Sequence, residues 1–207
     1  MKFRKMMGVT AAFLCAALAL SGCGSTDETA YRIGIVQQDE HSSLDAATQG
    51  FEDKLMELLG EENVTFDYQN AQGEQANSTT IATKFVSDGC DLILANGTTA
   101  LQSAAAATAD IPIVGTSVTD YIAAGAVNSN EKPGTNVTGV SDLGEIKAQV
   151  DVLLTFCQPD TKIAVVYCSA EPNSTYQADL AKKYLDEQKI PYAIYTAADS
   201  NEIQAVV

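Results

Sequence analysis

The sequence predicts an α/β architecture built on parallel sheets, and three observations carry that reading. Apolar, β-branched runs alternate with amphipathic helical stretches from Tyr31 to Val207. Several runs, such as Leu92-Ile93-Leu94 and Ile163-Ala164-Val165-Val166, lack the alternation of a half-exposed strand, which implies burial on both faces. Glycine and polar residues gather where the runs end rather than within them. Strands of this kind are joined by right-handed crossovers, with helices covering each sheet.

The chain opens with a different pattern. Lys2, Arg4 and Lys5 precede the apolar run Met6–Leu20, and Leu20-Ser21-Gly22-Cys23 follows. That is the layout of a secretory signal peptide, too short for a stable transmembrane span. Its ending resembles the bacterial lipobox, which implies lipidation of Cys23 after removal of residues 1–22. Residues 23–30 then read as a flexible tether.

The strand candidates follow in order: Tyr31–Gln37, Val64–Gln69, Asp91–Ala95, Ile111–Thr116, Val137–Val140, Lys162–Tyr167 and Tyr192–Tyr195. Helices are expected between them. Ala46–Leu59 carries Phe51, Leu55, Leu58 and Leu59 on one stripe and stops at Gly60. Glu74–Asp88 carries Ile81, Phe85 and Val86 and stops at Gly89. Thr98–Thr108 is rich in alanine, Glu145–Phe156 is amphipathic, and Thr175–Gln188 carries Leu180, Tyr184 and Leu185. The alternation restarts after Asp142, so a first lobe is expected over 31–142 and a second from 143 to 207. A last helix, starting near Ser200-Asn201, is cut within its apolar face. Two strands are too few for an independent core, so the second lobe reads as truncated and the natural sequence is expected to continue.

Charge and cysteine usage exclude several function classes. The chain has 12 Lys+Arg against 27 Asp+Glu; without residues 1–22, nine cations face 27 acids, a net −18. Such a surface repels phosphate backbones, so nucleic acid is not an expected partner. Beyond Cys15 in the signal segment and Cys23, the cysteines are Cys90, Cys157 and Cys168, without paired or metal-ligand spacing. They read as small buried hydrophobes. With a single His, no metal site and no cofactor is expected.

In an open parallel sheet, ligands bind beyond the carboxyl ends of the strands, where helix N-termini present free N–H groups. Those loops hold Gln37-Gln38-Asp39-Glu40-His41-Ser42-Ser43, Asn96-Gly97-Thr98-Thr99, Thr116-Ser117-Val118-Thr119-Asp120, Ser141-Asp142, and Ser169 to Ser174. Hydroxyls, amides and carboxylates dominate, with no Lys or Arg. Donors beside Ser42-Ser43 and Thr98-Thr99 suit a carboxylate; Asp142, Asp120 or Glu171 suits an ammonium. Together they suit a zwitterion such as an amino acid. Plainer roles stand beside this one: Ser42, Thr98 and Ser174 as N-caps, Asp142 as cap of the next helix, His41 as a solvent-facing loop residue. Catalysis is not expected. His41 and Ser42 are adjacent, so their side chains diverge on an extended loop, and no nucleophile elbow or phosphate-binding glycine loop is present.

The segments IGIVQ–EH–LDAA–GF, DYQNAQG, IATKFVSD–DLILA, DIPIV–T–VTD and NVTGVSDL resemble the substrate-binding lipoproteins of bacterial ABC transporters, those of tryptophan, tyrosine or phenylalanine uptake above all. The resemblance runs from Tyr31 to Val207. It implies the type I periplasmic-binding-protein fold, with two lobes closing on an amino acid, and a permease as partner of an extracytoplasmic, membrane-anchored protein. It places ligand contacts at His41, Ser42, Thr98, Thr116, Asp142, Ser169, Asn173 and Ser174. The chain departs from the family pattern at Gln38-Asp39, where an apolar or aromatic residue is usual, and at Ser42, Thr99 and Tyr121, where proline is. Tyr121 offers a ring in compensation. Two other roles fit the same sequence: a ligand-sensing lipoprotein signalling to a membrane receptor, and a structural surface protein with a vestigial cleft.

Overall fold

Isoleucine and valine at Ile33, Ile35 and Val36 are buried in strand β1 (Tyr31–Gln37), the second strand of a five-stranded parallel sheet. The structure is a computed structural model that describes residues 30–206 apart from Pro159 and Ser200. The signal-peptide, Cys23 and tether expectations fall outside the described residues, Ala30 excepted. Among the described residues no helix is long and apolar enough to cross a membrane.

The first sheet has the order β2-β1-β3-β4-β5, with β2 at Val64–Asn70, β3 at Leu92–Asn96, β4 at Ile113–Val118 and β5 at Val137–Ser141. Every neighbouring pair is parallel. The chain leaves β1 for β2 on one side and then crosses to β3 on the other. The carboxyl ends of β1 and β3 therefore frame the switch point where such sheets bind ligands.

Helix α1 (Ser42–Leu59) covers one face, where Phe51, Leu55 and Met56 pack on Ile33, Ile35, Val64 and Leu94. Leu58, expected on the same stripe, is 65% exposed, because the contact face is narrower than the apolar pattern. Helices α2 (Gln75–Ser87) and α3 (Thr98–Ala107) cover the other face over Val36, Ile93, Ala95 and Ile113. Phe85 is wholly buried there, and a Cβ on Gly34 would come within 2.6 Å of its ring. Glycine in β1 is what admits the large side chain. Burial on both faces, expected for these strands, is what β1 and β3 have, whereas the edge strand β5 is buried only at Val137.

A second parallel sheet pairs β6 (Ile163–Cys168) with β7 (Tyr192–Ala197). Helices α4 (Ile146–Thr155) and α5 (Pro172–Glu187) meet it through Val150, Ile163, Val165 and Leu185. Here the expectation of two covered faces fails among the described residues. Ile163 and Val165 face the helices, whereas Val166 alternates to the other face and is 50% exposed. The last helix, α6, spans Ile203–Val206. Cys90 is buried as expected, but Cys157 and Cys168 are only half-buried, since Cys157 lies just past α4 and Cys168 is the last residue of β6. All three are free thiols.

Candidate ligand cleft

The apolar runs of β1 and β3 end in buried amides, and those amides lock the first loop. Gln37 and Asn96 are both wholly buried at the carboxyl ends of the strands. Gln37 Oε1 accepts from Thr48 Oγ1 at 2.8 Å, and its Nε2 donates to Asp45 Oδ1 at 2.7 Å and to the Asp39 carbonyl at 2.9 Å. Asn96 Nδ2 donates to Thr48 Oγ1 at 2.9 Å and to the Leu44 carbonyl at 2.8 Å, while its Oδ1 is buried without a partner. Buried polar groups are costly unless paired, so this knot fixes the first turn of α1 on the sheet.

Helix starts lie elsewhere than the sequence suggested. His41, in extended conformation, is the N-cap of α1, and its Nδ1 accepts the Ser43 N–H at 3.2 Å. Ser42 is thus the first helical residue and not the cap; the helix begins four residues before the expected Ala46 because the Gln37–Thr48–Asn96 knot holds that turn. For α3 the N-cap is Gly97, at φ 116°, and Thr98 is the first helical residue. A Cβ on Gly97 would lie 2.6 Å from Gln38 Cβ, and Gln38 Oε1 accepts the Thr99 N–H at 3.0 Å. One donor at each of these N-termini, expected to be open to a ligand carboxylate, is therefore taken by the chain's own side chain.

Around the second sheet, Glu171 is the N-cap of α5, with Pro172 opening the helix, where its missing N–H costs nothing. Ser174, within the helix, donates from Oγ to Glu171 Oε2 at 2.9 Å and so steadies the cap. Asp142 does not cap α4, whose N-cap is Glu145. Its carboxylate is exposed, with no hydrogen bond or ion pair among the described residues.

Two of the predicted residues come together. Thr98, buried, and Asn173, partly buried with its Oδ1 enclosed and unpaired, line one crevice with Asp120, Ala123, Ala124, Pro172 and Tyr176. It joins the carboxyl ends of the two sheets and is too narrow for a water molecule. His41, Ser42, Asp142 and Ser169 lie exposed on the surrounding loops. Thr116 is half-buried within β4, two residues before its end, its carbonyl accepting the Gly97 N–H at 3.0 Å. Larger hollows lie elsewhere: about 260 Å³ beside Tyr121, Asn130 and Ser141, and about 410 Å³ between α4 and α5, where Ser174 sits beside Val150 and Val165. Their size does not make them better sites, because neither joins both sheet ends.

Tyr121 does not offer its ring to a ligand. Buried to 6% exposure, it lies across β4 and β5 over Gly115 and Gly139, and its hydroxyl donates to the Val140 carbonyl at 3.1 Å. Burial pushes its phenol up to about 12, with the Asp142 charge adding and the Val140 contact opposing. Asp120, considered for an ammonium, already accepts the Ala123 N–H at 2.6 Å on Oδ1. Tyr176 was not anticipated. Its phenol is raised by burial first, then by the charge of Asp120 and the polar contact between them. Among the described residues no group of three or more His, Cys, Asp or Glu is placed to hold a metal.

Residues 32–207 match the family model of ABC transporter substrate-binding proteins. The chain belongs to that family. Among its relatives, this substrate-binding protein is 36% identical to a tyrosine-binding protein of Clostridioides difficile (strain R20291), over all of this chain and 64% of that one. An ABC domain from Streptococcus pneumonia, solved in complex with L-Trp, superposes with a TM-score of 0.80 at 33% identity, covering 86% of this chain and 61% of that one. The ligand-free, open structure of a substrate-binding protein with adhesive properties from Clostridium difficile is 40% identical but superposes at 0.63, over 84% and 60% of the chains. The substrate-binding protein has the type I periplasmic-binding-protein fold of its neighbours and spans about three fifths of the length of the three relatives just described.

Sequence reasoning singled out the loops beyond the strand ends of this substrate-binding protein but missed the side chains that hold them. Gln37 and Asn96 carried a signal: each is the polar end of an otherwise apolar strand, and Thr48 falls on the inward face of α1. Tyr176 carried none, since its place in the crevice depends on how the two sheets approach.

Proposed function

We propose that this chain captures a small zwitterion, an amino acid with an aromatic side chain, for an ABC importer, between a first lobe at 31–142 and a second beginning at 143. The observation that carries this reading is that Thr98 and Asn173, from opposite sheets, line one crevice at the carboxyl ends of both, shut in this structure and opened to a ligand when the lobes part. The name of the tyrosine-binding relative and the L-Trp held by another support the ligand class.

In this reading Thr98, Thr116, Asn173 and Ser174 contribute hydroxyl and amide contacts. His41 and Ser42, at the start of α1, and Ser169 border the entrance. Asp142, an uncommitted carboxylate, takes the ammonium. Capture needs no catalytic group. Lipidated Cys23 and the tether hold the protein extracytoplasmically at the membrane, beside its permease.

Thermal denaturation of the full chain against the common amino acids tests the proposal. At 100 times the dissociation constant a ligand adds about 2.7 kcal/mol of stability. A rise in Tm with L-tyrosine, L-tryptophan or L-phenylalanine is expected. A rise with other solutes alone contradicts the aromatic specificity, and no rise with any of them contradicts capture.

A further inference from the structure

Adjacent side chains on the second turn of α5 reach the segment that follows β4. Tyr176 and Asp120 line the same crevice, and the neighbouring Gln177 Nε2 donates to Thr119 Oγ1 at 3.4 Å. Regular continuation of the sheet would not put Thr119 and Asp120 there. The register of β4 against β5 shifts between Gly115 and Val118, and Ser117 sits at φ 54°, a left-handed conformation unfavourable for a residue with a Cβ. Ser141 Oγ then donates to the Thr119 carbonyl at 2.6 Å, and the Ala123 N–H binds Asp120 Oδ1 at 2.6 Å. Both acceptors are held by the first sheet's own loops, and both face a helix of the second.

We propose that Tyr176 is a positioning residue for ligand capture, which through Asp120, and with Gln177 on Thr119, ties α5 to the end of β4 and favours the closed relation of the two lobes. This rests on the reading of the chain as a two-lobed capturing protein. Contacts that exist only when the lobes meet shift the closed population without touching the ligand, and apparent affinity follows that population. Tyr176 and Asp120 flank Thr98 and Asn173 in the crevice, so the tie closes beside the ligand contacts rather than at a distant hinge. A polar contact of ordinary strength changes the closed-to-open ratio about two- to tenfold.

The test is a pulsed-EPR distance distribution between genetically encoded labels at Gln49 on α1 and Lys183 on α5, which leaves the native thiols in place. It is recorded on the full chain without ligand and again with L-tyrosine. Without ligand, Tyr176→Phe should move the open-to-closed ratio toward open about two- to tenfold. Asp120→Asn, which keeps an acceptor for the Ala123 N–H, should do the same, and the double variant should go no further than either single one. Unfolding curves identify any variant that has lost its fold. A distribution unchanged by Tyr176→Phe, or additive effects of the two substitutions, overturns the proposal. Failure of L-tyrosine to alter the wild-type distances counts against the capture reading instead, so the two failures are distinguishable.

Discussion

The loop that leaves β1 and the loop that leaves β6 occupy the same place in their sheets, yet they are held by different means. The first is tied down by a buried knot in which Gln37, Thr48 and Asn96 share hydrogen bonds across two strands and a helix. The second has a cysteine, Cys168, at the position of Gln37. It is secured by the Ser169 N–H on the Ala197 carbonyl and by Ser174 on its own cap residue. Below the loops the contrast continues: the first sheet is covered on both faces, the second on one among the described residues. One half of the cleft is thus preorganised by its own core, while the other takes part of its definition from what it meets across the crevice.

The largest effect expected from this contrast lies in the cores. Phe85→Ala should destabilise the chain by about 3–5 kcal/mol, since it empties a wholly buried aromatic site that Gly34 was shaped to admit. Val166→Ala, on the exposed face of β6, should stay within about 0.5 kcal/mol. Denaturant unfolding of both variants checks the pair, and equal costs would break the comparison. At the loops, Gln37→Leu should cost about 2 kcal/mol, because the buried Thr48 hydroxyl loses its acceptor and the first turn of α1 loses its anchor on β1. Ser169→Ala, whose side chain is exposed, should change little by the same measurement.

Smaller effects sharpen the picture of the first sheet. Ser117→Gly relieves a left-handed residue and should raise stability by up to about 1 kcal/mol if the register shift is unchanged. A loss would mean that the serine side chain has a role of its own. The phenol of Tyr121 gives a pH signature. Its folded pKa is raised to about 12 from the usual 10.0, so its contribution is fully present below pH 10 and fades as pH rises toward 12. Following unfolding free energy across that range in wild type and Tyr121→Phe should show an alkaline decline that the variant lacks. Asp67 acts at the other end. Hydrogen bonds from Gln69 and Lys84 lower its pKa below 3.8, so its stabilisation holds above that value and is lost as pH falls through the folded pKa. Asp67→Asn should flatten that acid limb slightly.

Much of the fold was legible in the sequence because it depends on short-range pattern. Strand β1 begins and ends where the apolar run does, and the other strands differ from expectation by two residues or fewer at each end. Helix starts were harder to read, because several residue types can cap and tertiary contacts choose among them. Ser42 and Thr98 became first helical residues once His41 and Gly97 took the caps. The apolar run of β6 promised two covered faces, but hydrophobicity alone does not say what lies on each side. Thr98 and Asn173 could be singled out from the loops that follow β3 and β6, and the structure brings those two into one crevice. Tyr121 could not be assigned that way: its ring lies over Gly115 and Gly139, a contact between strands far apart in sequence. That Tyr176 and Asp120 line one crevice likewise depends on the approach of α5 to the first sheet, which no local pattern encodes.

The most direct test of the central claim is equilibrium binding of L-tyrosine to the full chain and to its Asn173→Ala variant. Capture between the two sheets predicts saturable binding to the wild type and a loss of about tenfold or more in the variant, the scale of a buried polar group left unpaired. Binding of equal strength in both proteins would contradict it, and would place any ligand outside the crevice shared by Thr98 and Asn173.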